Sequence, residues 1–154
     1  MKGEARKASS DRVMGKINWG RVVVGGLLWW VVFNVLWIVG LILYLGPETE
    51  IALRALGRDF RPTPAFALVW FVLTFVGGVL AIWLYAAIRP RYGPGPKTAV
   101  IVAVPFWLLG NFIPMVIFGA MGLFSMQFVA IDTVTVLVET VLATLAGAWW
   151  YREA

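Results

Sequence analysis

The sequence has neither cysteine nor histidine among its 154 residues. Without thiols there is no disulfide, no thiol relay and no cysteine nucleophile. Without imidazoles the commonest general base, haem ligand and zinc or copper ligand are missing. No cofactor and no metal site is expected. Charge is scarce as well: 14% of the residues are Asp, Glu, Lys or Arg, against about 25% in an ordinary soluble domain. No paired base or nucleophile accompanies the few acids, so an enzyme is not expected; a lipid-modifying activity built on Asp132 or Glu139 is the weakest of the functional readings.

Apolar side chains fill the space, at 61% of the sequence and a mean hydropathy of +0.85. A bilayer core of about 30 Å is crossed by about 20 apolar helical residues, and four stretches qualify, at 22–45, 65–88, 98–120 and 127–151. Gly, Pro and charge punctuate the intervals between them. The expected fold is all-α, a polytopic integral membrane four-helix bundle over 22–151, preceded by a basic segment 1–21 and followed by a short C-terminus 152–154. The first stretch is too long for a secretory h-region of about 7–15 residues and is expected to remain as an anchor.

Basic residues set the orientation. Lys2, Arg6, Lys7, Arg12, Lys16 and Arg21, then Arg89, Arg91 and Lys97, then Arg152 lie on one side, against Arg54, Arg58 and Arg61 on the other. The positive-inside rule therefore places both termini in the cytoplasm. The net charge of +5 is accounted for at the ends of hydrophobic stretches, where lipid headgroups answer it, so nucleic acid is not an expected partner. Trp37, Trp70 and Trp107 are expected to pack or face lipid. The outer connection GPETEIALRALGRDFRPTP has room for one short helix along the membrane surface, with Ala52, Leu56 and Phe60 on one side, or for a plain solvated connector.

The fourth stretch carries the residue of most interest. At 100° per residue, Asp132, Thr135, Glu139, Ala143, Ala146 and Gly147 form a polar and small stripe that is expected to face into the bundle. An acid at bilayer depth costs at least about 2.5–3.5 kcal/mol, and desolvation favours its neutral form. With no lysine or arginine inside any span, neutral donors must serve. Asn34, Asn111 and Thr74 lie at similar depth in the other three spans, so a polar layer of Asn34, Thr74, Asn111 and Glu139 is expected at mid-membrane. It is either a hydrogen-bonded clasp that fixes helix register or a proton-binding site coupled to movement of a solute.

The loop IRPRYGPGPKTAV ends the second helix with Pro94 and Pro96 and allows the turn through Gly93 and Gly95. It gathers Arg89, Arg91 and Lys97 without an acid. These are candidates for an anionic headgroup, beside the simpler reading of positive-inside topology. Pro105 and Pro114 flank FWLLGNFI and should bend or loosen the third helix around Asn111.

The stretches WLYAAIRPRYGPGPKTAV and VETVLATLAGAWWYRE resemble the corresponding parts of a group of small bacterial membrane proteins with four predicted spans and no assigned activity. The resemblance implies a bacterial cytoplasmic membrane and carries no functional residue. Small multidrug transporters share four spans and a membrane glutamate, but theirs lies in the first span, where this chain has Asn34. Quinone-linked thiol oxidoreductases with four spans are excluded by the missing cysteines. The functional expectation is a small non-enzymatic accessory or assembly subunit, in contact with membrane lipids and with a second copy or a membrane-complex partner. The alternative is a proton-coupled carrier of a small or amphipathic solute that uses Glu139.

Overall fold

The computed structural model describes residues 17–55, 57 and 63–151. Four helices within that range are long and apolar enough to cross a membrane: α1 Trp19–Ala55, α2 Pro64–Tyr92, α3 Pro96–Ala120 and α4 Met126–Trp150. They form an all-α four-helix bundle in which α1 packs most extensively on α4 and α2, α3 leans on α4, and the contact between α2 and α3 is thin. Most of the basic segment 1–21, and Leu56, Arg58, Phe60, Arg61 and Arg152, lie outside the described residues.

Local chemistry sets the starts of the helices. Asn18 caps α1 by accepting from the Arg21 amide at 3.1 Å, Thr63 caps α2 through Phe66, and Ser125 caps α4 through Phe128, each satisfying one otherwise orphaned amide. Between α2 and α3 the chain turns at Gly93 (φ 83°) and Gly95 (φ 123°), a region of backbone space open to glycine, and Pro96 opens α3.

Two wide turns interrupt the helices, π-helical at Leu41–Leu45 and at Leu108–Phe112. Each stands two residues ahead of a proline, Pro47 and Pro114. A proline in a regular helix clashes with the carbonyl four residues before it and cannot donate to it. The wider turn moves those carbonyls, of Leu43 and Gly110, away from the helical ladder. In α1 this has a consequence the sequence did not announce. The first span does not stop at 45: the helix runs on through Gly46 and Pro47 to Ala55, so the expected surface helix is a continuation of α1. Its last ten residues, Gly46–Ala55, bury nothing and carry an Arg54–Glu50 ion pair.

Glycines let the backbones approach. A Cβ on Gly78 of α2 would lie 2.6 Å from the Gly26 carbonyl oxygen, and one on Gly147 of α4 would lie 2.7 Å from that of Gly25. The adjacent pair Gly25–Gly26 thus seats α1 against both neighbours at once, which suits a bundle held by close packing and internal hydrogen bonds in lipid. Around this seam Val22, Trp29, Ala81, Ile82, Tyr85, Ala99 and Val102 make the core, while Leu68, Leu73 and Leu109 are exposed on the outer surface.

Candidate functional site

The buried face of α4 follows the expected stripe in part. Asp132, Glu139, Ala143 and Gly147 are buried, and Thr135 and Ala146 are half-buried at its edge. It is joined by Thr133, Val136, Thr140 and Thr144. Thr140 and Thr144 are one turn apart and close against the α1 tryptophan: the Trp29 indole donates to the Thr144 hydroxyl at 3.0 Å, and that hydroxyl donates to the Thr140 carbonyl at 2.7 Å. The four-residue spacing of Thr140, Thr144 and Ala148 was readable in the sequence, but threonine in an apolar helix carries no marker of which tryptophan it meets.

The expected mid-membrane polar layer is not one cluster. Asn34, Thr74 and Trp70 join α1 to α2: Asn34 donates through Nδ2 to the Trp30 carbonyl at 2.9 Å and to the Thr74 hydroxyl at 3.2 Å, and its Oδ1 accepts from the Trp70 indole at 3.0 Å. Asn111 and Asp132 join α3 to α4, with Asn111 Nδ2 donating to Asp132 Oδ2 at 2.9 Å. Asn111 lies inside the wide turn of α3, where an extra residue per turn rotates the following side chains relative to a regular helix. Tryptophans are active partners here. Trp107 donates to the Thr133 carbonyl at 2.9 Å and Trp30 to the Phe71 carbonyl at 2.9 Å.

Glu139 belongs to neither group. It is 3% exposed, and neither carboxyl oxygen has a hydrogen-bond partner among the described residues. Its carboxyl group faces Gly40 of α1, where an added Cβ would come within 3.2 Å of Oε1. The expectation that Asn34, Thr74 and Asn111 receive this acid is therefore corrected. Counting along each span gave its height, about 18 Å of helical rise from Tyr151, but height does not fix azimuth. At this level Thr140, 100° around the helix, faces the interior, and Glu139 turns to α1.

Beside Gly40 and Glu139, α1 and α4 leave a groove of 310 Å³ whose remaining walls include Leu36, Val39, Tyr44, Thr135, Val138 and Leu142. Val39, Tyr44, Val138 and Leu142 are exposed on the outside of the bundle, so the groove opens sideways. Apart from the acid, Tyr44 and Thr135 alone among the described residues bring side-chain polar atoms to it. A buried polar group without a partner is rare and costly, which sets this acid apart from Asp132 on the same helix.

At the end of the bundle where α1 starts and α4 stops, Tyr151 accepts from the Asn18 amide at 3.3 Å and packs edge-on against Tyr85. The Tyr85 hydroxyl accepts from the Gly95 amide at 3.0 Å. Arg89 lies over the Tyr151 ring at 5.7 Å, Arg91 over Tyr92 at 5.9 Å, and Lys97 is exposed. Of the three candidates for a headgroup, Arg89 thus lies against Tyr151, while Arg91 and Lys97 are exposed. Among the described residues no group of three acids could hold a metal ion.

Comparison with protein-family models, curated proteins and solved structures finds no match.

Proposed function

We propose that the chain is a non-enzymatic accessory or assembly subunit of the bacterial cytoplasmic membrane, with both termini inside, and that it recruits a membrane partner through the groove between α1 and α4. One observation carries this reading: Glu139 is buried at the base of a laterally open groove, and its carboxyl group has no hydrogen-bond partner among the described residues. The intramolecular clasp is already made by the two amide groups, Asn34 with Trp70 and Thr74, and Asn111 with Asp132, so the acid is spare. A transmembrane helix of a partner protein bringing a side-chain donor to mid-depth would fill the apolar groove and satisfy the acid together. Polar contacts of this kind between membrane helices are worth only about 0.6 kcal/mol on average, but they select partner and register. Exposed Arg91 and Lys97 suit anionic headgroups at the cytoplasmic surface.

A photo-crosslinking side chain at Val138, on the groove wall, tests this in native membranes, with Leu80 on the outer face of α2 as the control position. The expected result is a protein crosslink from Val138 alone, lost in Glu139→Leu and retained in Glu139→Gln, which keeps hydrogen-bonding capacity. A crosslinked species of twice the chain's mass would identify the partner as a second copy. Crosslinks to lipid only, or crosslinks indifferent to Glu139→Leu, would overturn the reading.

The carrier alternative draws on the same unpartnered carboxyl group, which is free to take up and release a proton. It is separated by Glu139→Gln, which would abolish proton-linked uptake while leaving the crosslink in place.

A further inference from the structure

A second cavity, of 280 Å³, lies on the other side of the bundle, beside the thin contact of α2 with α3. Two glycines open it. An added Cβ on Gly77 would only reach ordinary contact with Phe106, at 3.8 Å, and one on Gly110 would meet nothing within 4 Å. The walls are mainly aromatic, from Trp29, Phe33, Trp70, Phe106 and Trp107. Trp29 stacks on Phe33 at 4.7 Å and meets Phe106 edge-on at 6.1 Å.

Apart from the Thr140 hydroxyl, the side-chain donors around this cavity are already committed. Each of its three indole N–H groups is already committed within the protein, Trp29 to Thr144, Trp70 to Asn34 and Trp107 to the Thr133 carbonyl, so the tryptophans have ring faces left to offer and no donor. The Thr74 hydroxyl donates to the Trp70 carbonyl at 2.9 Å. Asn111 has spent its Nδ2 on Asp132, and its buried Oδ1 has no partner among the described residues. Behind that amide stands an acid, and no lysine or arginine among the described residues lines the cavity. Aromatic faces carry negative charge density and attract cations, quaternary ammonium groups above all. At 280 Å³ the cavity lies just under the size of about 300 Å³ at which drug-sized ligand sites begin, so it suits only a small molecule.

We propose that this cavity is a binding site for a small hydrophobic organic cation of the substituted-ammonium type. Its ring faces recognise the charge, with the Asn111 amide in the cavity wall and the Asp132 acid behind it, and entry is sideways between α2 and α3. The inference is independent of the partner groove, since Glu139 lines the other face of the bundle.

The test uses the full chain in nanodiscs of zwitterionic lipid, titrated with benzyltrimethylammonium and, separately, with neopentylbenzene, its neutral carbon isostere, at matched concentrations in the lipid phase. Tryptophan fluorescence is the readout. The expected result is saturable binding of the cation at least tenfold tighter than of the neutral isostere. Binding should weaken at least tenfold in Gly77→Leu, which fills the space beside Phe106, weaken in Asn111→Leu, and stay unchanged in Glu139→Gln. Equal binding of the two isosteres, absence of saturable binding to the unmodified chain, or full binding by folded Gly77→Leu would overturn the proposal. The isostere comparison on the unmodified chain decides the matter even where a variant fails to fold. Loss of binding in Glu139→Gln would move the site to the other groove and also overturn it.

Discussion

Asn34 uses both ends of its amide, and in hydrocarbon there is no water to replace what it supplies. Replacing it with leucine strands the Trp70 N–H and removes the donor to Thr74. Asn34→Leu should therefore cost about 1–3 kcal/mol, the usual penalty for orphaning a buried donor, read as reduced resistance of the detergent-solubilised protein to unfolding. A loss no greater than that of an outward-facing Leu73→Ala control would contradict this account of the pair. The sequence put Asn34 and Thr74 at one depth, in a layer expected around Glu139, but did not single out their pairing. The isolation of Glu139 was not legible. It depends on Gly40, a residue with no side chain to advertise that it makes room for a carboxyl group.

Among the elements, helix positions were readable to within a few residues at α2, α3 and α4, because apolar length and Gly-Pro punctuation fix both ends. The end of α1 misled for a physical reason. Gly46 and Pro47 ordinarily terminate a helix, but the wide turn at Leu41–Leu45 absorbs the proline and the helix continues. The small residues of α4 marked a face toward the bundle, yet the sequence did not say that Gly25 and Gly26 are the shared counterpart of Gly78 and Gly147. That seam can be broken selectively. Gly78→Val places its Cβ 2.6 Å from the Gly26 carbonyl oxygen, and such overpacking costs about 1–3 kcal/mol or more. Gly110→Ala, with nothing within 4 Å of its Cβ, should be tolerated. Comparable stability for these two variants in an unfolding titration would show that α1 and α2 are not held at this distance.

For the whole molecule, four crossings put residues before α1 and after α4 on the same side, in keeping with the contact of Asn18 with Tyr151. The absence of cysteine makes topology directly measurable. Single cysteines introduced at Pro94 and at Ala154 should be labelled by a membrane-impermeant maleimide only after cells are opened, whereas a cysteine at Glu48 should be labelled in intact cells. The reverse pattern would invert the proposed orientation. The molecule then presents two lateral openings on different faces, an acidic groove between α1 and α4 and an aromatic cavity between α2 and α3, each left where neighbouring helices lack a side chain to fill the space. The first of these openings holds the acid that has no partner among the described residues. A hydrophobic carbodiimide, which forms a covalent adduct with carboxylic acids reached from within the bilayer, tests this directly by mass spectrometry of the membrane-embedded chain. The account predicts one intramembrane adduct, on Glu139, absent in Glu139→Gln and diminished when the partner is bound. An unmodified Glu139, or modification of Asp132 in its place, would contradict it.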